Sequence, residues 1–84
     1  MRDFAGYWGV VRTMLPVAEP EAIEHSSGLY DEVGLDSLET FELIVITEQL
    51  AGLNVPPPEV PALYTAGDAY AYYRQCAVDA VDQV

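Results

Sequence analysis

From Asp3 onward, apolar residues return at Phe4, Tyr7, Trp8, Val11 and Leu15, the three-and-four spacing of one helical face, until Pro16 interrupts it. This pattern predicts a helix over about 3–15 with Asp3 as its N-cap. Residues 16–35, PVAEPEAIEHSSGLYDEVGL, mix two prolines, two glycines and a Ser-Ser pair with scattered apolar residues. They read as a long loop pinned to a core at Ile23, Leu29, Tyr30 and Val33, a length that compact domains keep for function or structure by packing. A second helix is predicted over about 36–51, closed by Gly52, a residue suited to a helix C-cap. The run NVPPPEVPAL, residues 54–63, carries four prolines in ten positions and offers at most one short helical turn, over about 57–63. Thr65, with Asp68 three residues on, opens a last helix over about 65–80 with Ala69, Tyr72, Tyr73, Cys76 and Ala80 in its apolar set. Neither a repeat nor a strand-like alternation competes with this reading. The expected fold class is all-α: one domain over residues 1–84, a small bundle of three main helices plus one short third helix, with a long loop between helices 1 and 2.

The second helix is apolar on two sides. Advancing about 100° per residue from Ser37 puts Leu43, Ile46 and Leu50 on an arc opposite the serine, the expected core face. Leu38, Phe41, Ile44 and Val45 flank the serine itself, bordered by Glu42 and Glu48. Burying both arcs would also bury carboxylates, which is costly when they are unpaired, so an apolar and acidic strip is expected to remain partly exposed beside Ser37. The alternative is that Phe41 and Val45 pack under the long loop.

Charge narrows the partners. The 84 residues hold 3 Lys+Arg against 14 Asp+Glu, a formal net charge of -11, which repels phosphate backbones and anionic membrane surfaces and attracts basic protein surfaces. Neither a nucleic acid nor a membrane is an expected partner. With half of its residues apolar and 20% charged, the chain can bury one core. Cys76 is the one cysteine, so no intramolecular disulfide forms, and the chain shows neither a signal-peptide run nor a membrane-length apolar stretch. The expectation is a cytoplasmic monomer.

Three chemistries can be weighed at Ser37. In the first turn of a helix, amide N–H groups lack partners and the macrodipole is positive, so a phosphate ester on Ser37 would be stabilised; the plain alternative is that Ser37 only caps the helix. Nucleophilic catalysis would need His25, the one histidine, as base, yet the G-x-S-x-G elbow and its strand are absent. Asp31 and Glu42 stand at the first and twelfth positions of a calcium loop, but Val33 and Leu35 occupy ligand positions and Asp36 the obligatory glycine, so no metal site is assigned.

The run GLDSLETFELIVITEQL resembles the attachment segment of acyl carrier proteins, whose G-x-D-S-L motif places a modified serine at the start of the second helix. The similarity extends from about Val17 to the last helix, and helix order, long first loop, length and acidity agree with it. The resemblance implies that a phosphopantetheinyl transferase, using coenzyme A and magnesium, attaches 4'-phosphopantetheine to Ser37, and that the arm's thiol then carries acyl groups as thioesters. It also implies a carrier that is not an enzyme: a loading acyltransferase or ligase, and a ketosynthase or other acyl-processing enzymes with basic docking patches, would act on it. Asp36 and Leu38 match the motif positions read by the transferase; Glu39, Glu42 and Glu48 match acidic docking positions, and Phe41 and Val45 the apolar positions between them. Leu43 matches a core position, whereas Thr47 stands where the family commonly has a large apolar residue, so Ile46 and Leu50 are expected to tighten the core. The proline-rich 54–63 run and the tyrosines of DAYAYYRQC depart from housekeeping fatty-acid carriers and favour a discrete carrier of polyketide or other specialised metabolism. The alternatives are a peptidyl or aminoacyl carrier of nonribosomal peptide synthesis and an unmodified acidic docking module.

Overall fold

The computed structural model describes residues 1–17 and 19–82. Its elements are α1 (Phe4–Arg12), a 3₁₀ turn at Pro20–Ala22, α2 (Ser37–Ala51) and α3 (Ala66–Asp82). Among the described residues there is no strand, only an isolated antiparallel bridge between Gly28 and Thr65. The all-α expectation therefore holds, with two corrections.

The first concerns helix ends. Asp3 caps α1 as expected, accepting from the Gly6 amide at 2.7 Å. The helix stops at Arg12, not at residue 15, because Leu15 precedes Pro16 and a residue in that position is pushed out of helical backbone. Leu15 is nonetheless buried, its amide still reaching the Val11 carbonyl at 2.9 Å. The second correction removes the short third helix: residues 57–63 hold no helical turn. Pro56, Pro57, Pro58 and Pro61 cannot donate backbone hydrogen bonds, so a turn there lacks the bonds that would close it.

Tyr7, Trp8 and Val11 of α1, Ile23, Leu29, Val33 and Leu35 of the long loop, Leu43 and Ile44 of α2, and Ala66, Ala69 and Tyr73 of α3 are buried in one cluster. Tyr30, expected in that set, is half exposed; its loop neighbour Leu29 takes the inward position. Ile46 and Leu50, expected at the centre of the core face, only flank it, whereas Thr47 is fully buried. The threonine is accommodated by a polar pair across helices, its Oγ1 lying 2.7 Å from the Tyr7 hydroxyl.

The long loop is held by the head of α3. The Ala66 amide donates to the Ser27 carbonyl at 2.8 Å, the Gly67 amide to the His25 carbonyl at 2.9 Å, and the Leu29 amide to the Tyr64 carbonyl at 2.9 Å. Thr65 and Asp68 complete the head reciprocally: Thr65 Oγ1 accepts from the Asp68 amide and Asp68 Oδ2 from the Thr65 amide, both at 3.1 Å. The His25 ring stacks on Phe4, centroids 3.9 Å apart, which ties the loop to α1 as well.

Candidate functional site

The turn that leads into α2 is built around Gly34. Its φ of +91° is a conformation that side-chain-bearing residues rarely adopt, which explains the glycine in GLDSL. The next residue, Leu35, is buried and donates its amide to the Leu29 carbonyl at 2.9 Å, fixing where the helix begins.

Asp36, not Ser37, is the N-cap. Its carboxylate accepts from the Glu39 amide at 2.7 Å, and the Glu39 carboxylate accepts from the Asp36 amide at 3.1 Å, a complete capping box. The Asp36 carbonyl also accepts the Thr40 amide and the Thr40 hydroxyl, both at 2.9 Å. Ser37 is thus the first residue of the helix proper, exposed, with its hydroxyl released from any capping role. Because Asp36 takes the amides of Glu39 and Thr40, the amides of Ser37 and Leu38 are the donors left over in the first turn. The two carboxylates nearest the serine are engaged by backbone donors, which moderates their repulsion of an anion on Ser37.

Beyond the serine, Leu38, Phe41 and Val45 form the exposed strip, at 66%, 54% and 37% of full accessibility, with exposed Glu42 beside them. The expectation of an open apolar and acidic strip is met there, with Ile44 the exception: it turns inward and is buried. Glu39 is half-buried in the capping box. Glu48 is half-buried too, its Oε2 accepting the Tyr72 hydroxyl of α3 at 2.5 Å. Among the described residues Glu42, unlike Glu39 and Glu48, makes no such internal bond.

The proline-rich segment lies over this side of α2. Phe41, Ile44, Val45 and Glu48 on the helix face Pro56, Pro57 and Val60 across a groove of about 210 Å³. Tyr72 and this wall of prolines were not among the residues that sequence reasoning assigned to the site. Both meet α2 through the tertiary fold, and no local spacing announces them. Burial raises the ionisation of the Tyr72 phenol, as does its bond to Glu48. Burial likewise raises the Cys76 thiol, against a lowering by the Tyr72 hydroxyl. His25, the base weighed for Ser37, stacks its ring on Phe4.

No helix among the described residues is long and apolar enough to cross a membrane. The chain is 34% identical over 59 residues to the acyl carrier protein of Rhodopseudomonas palustris strain TIE-1, a match covering 70% of this chain and 75% of that one. The same figures hold for the acyl carrier protein of Nitrobacter winogradskyi. That of Renibacterium salmoninarum is 36% identical over 53 residues, 63% of this chain and 65% of that one. No family model matches the chain, and no solved structure matches it.

Proposed function

The chain belongs to the acyl carrier protein family, and on that premise we propose that Ser37 bears a 4'-phosphopantetheine arm on which acyl intermediates pass between biosynthetic enzymes. The observation that carries this reading is the division of labour at the head of α2: Asp36 and Glu39 cap the helix, while Ser37 stands exposed with no structural task.

The residues fit such a group. The Ser37 oxygen is open to a transferase, and a phosphodiester there would meet the leftover amides of Ser37 and Leu38 at the positive end of a 15-residue helix. When bound, the arm supplies a thiol whose thioester keeps an acyl group ready for transfer. Everything else asked of the chain is positioning. Asp36 and Leu38 present the serine to a phosphopantetheinyl transferase that uses coenzyme A and magnesium. Glu42, flanked by Phe41 and Val45, offers a charged and apolar strip to the basic patches of loading acyltransferases or ligases, of ketosynthases and of other acyl-processing enzymes. Glu39 and Glu48 add charge to the same face from half-buried positions. No residue of this chain is required to catalyse transfer.

The pathway we propose is polyketide or other specialised metabolism, served by a cytoplasmic monomer that forms a single carrier domain. Its support is the proline-rich, non-helical segment beside α2 and the tyrosine-rich face of α3. The test is direct. Incubation with a phosphopantetheinyl transferase, magnesium and coenzyme A is expected to add the mass of one arm, and Ser37→Ala to accept none; an arm still added to that variant would refute the site.

A further inference from the structure

The groove beside α2 is apolar except for its carboxylates. Phe41, Ile44, Val45, Pro56, Pro57 and Val60 line it, and Glu48 contributes a half-buried carboxylate from the helix wall, while Glu59 stands on the exposed segment opposite. Glu48 is not mobile in the way a surface glutamate is, because the Tyr72 hydroxyl holds its Oε2 at 2.5 Å. Among the described residues its Oε1 has no hydrogen-bond partner. Ser37 lies on the same helix, about 6 Å of axial rise from Phe41 and about 16 Å from Glu48. An arm rooted there and laid back along α2 can deliver its cargo into this groove.

Resting on the carrier reading, we infer that Glu48 makes the groove selective for short acyl groups that carry a hydroxyl at their far end. An all-alkyl chain gains from the apolar walls but strips water from the Glu48 carboxylate and offers no donor in exchange, which is costly for a charged acceptor. A terminal hydroxyl gains the same walls and donates to the carboxylate, a charge-assisted bond stronger than one between neutral groups. Sites that hydrogen-bond a hydroxyl discriminate strongly against the analogue lacking it, for this reason. The groove is small, about 210 Å³, which restricts it to short acyl groups. Tyr72 is the positioning residue: it touches the carboxylate, not the cargo.

The experiment loads the protein, by transferase, from coenzyme A thioesters of an unbranched six-carbon alkanoyl group and of its terminally hydroxylated counterpart, and follows thioester loss to hydroxylamine. The hydroxylated cargo is expected to be lost about tenfold more slowly than the alkanoyl one from the wild-type protein. In Glu48→Met that difference should shrink to less than about twofold, whereas Glu59→Gln should preserve it. Equal loss of the two cargoes from wild type, selectivity surviving in Glu48→Met, or selectivity abolished by Glu59→Gln would each overturn the inference. Should Glu48→Met fail to fold, Tyr72→Phe frees the carboxylate without removing it; selectivity there should fall by at least about half, and undiminished selectivity counts against the inference. Failure of the carrier reading looks different, since no arm would then be added to Ser37 in any of these proteins.

Discussion

The hydroxyl of Thr47 has one proton, and it goes to the Leu43 carbonyl at 2.7 Å, so the 2.7 Å bond between Thr47 and Tyr7 runs from the tyrosine hydroxyl to the threonine oxygen. The two deletions are therefore unequal. Thr47→Val strands a buried phenol and should cost about 1–3 kcal/mol, while Tyr7→Phe leaves Thr47 still bonded to Leu43 and should cost about 1 kcal/mol. The double variant should cost less than the two singles together, because no donor is left stranded; additive costs in urea denaturation would show that the pair is not coupled. Burial, partly offset by the bond to Thr47, raises the Tyr7 ionisation well above its ordinary value of 10.0. A phenol whose folded-state ionisation is raised contributes fully below its unfolded value and loses that contribution as pH climbs past it. Thermal stability should therefore decline above about pH 10, less steeply in Tyr7→Phe, with Tyr72 supplying part of the slope that remains. The resemblance marked Thr47 as a gap in the core because matching one helix position by position does not show what packs against it. Its partner lies 40 positions away, on another.

At the scale of elements, the long loop is ordered by a helix that comes later in the chain. Gly67 brings the head of α3 so close to His25 that an added Cβ would stand 2.8 Å from the His25 carbonyl oxygen, the atom that the Gly67 amide already bonds. Backbone cannot yield there as a flexible side chain could. Gly67→Ala should lose about 1–3 kcal/mol, read as a shift in urea midpoint at unchanged slope. The head of α2 allows structure and recognition to be separated. Asp36→Ala removes the cap and should cost about 0.5–2 kcal/mol, whereas Asp36→Asn keeps a capping oxygen and should stay close to wild type in stability. If the charge of Asp36 is read by the transferase, Asp36→Asn will accept the arm more slowly despite that; an unchanged rate would make Asp36 a cap and nothing more. These elements also mark how far the sequence was legible. Asp3, Gly52 and the Thr65–Asp68 pair announced their helix ends because capping is a local transaction, whereas at the head of α2 the sequence offered Ser37 as a cap and the structure gives that role to Asp36. The early stop of α1 was readable only in Pro16, and the segment over 57–63 gave no sign that it would wall a groove, since that placement is set by α2 and not by its own residues.

Across the whole molecule the charges are segregated as well as unbalanced. No Lys or Arg occurs between Arg12 and Arg74, and Arg12 is itself paired with Glu19, so α2, the loop before it and the proline-rich segment after it are free of cationic side chains. Such a face steers basic partners toward α2 over distances of a Debye length, about 8 Å at physiological ionic strength, and does so more in association rate than in final affinity. Glu42 is the test residue because it is exposed and outside the capping box and the Tyr72 bond, unlike Glu39 and Glu48. Glu42→Lys should leave the fold as stable as wild type or slightly more so, since it relieves part of the self-repulsion of a chain at -11. It should nonetheless slow association with the transferase several-fold at low salt, in keeping with an exposed pair worth about 0–1 kcal/mol and its reversal into repulsion. At about 1 M salt, where the Debye length is near 3 Å, the two proteins should converge. Convergence matters more than the loss itself: a defect that persisted at high salt would mean that Glu42 acts through shape or packing, and an undiminished rate at low salt would remove the acidic strip from the recognition of this carrier.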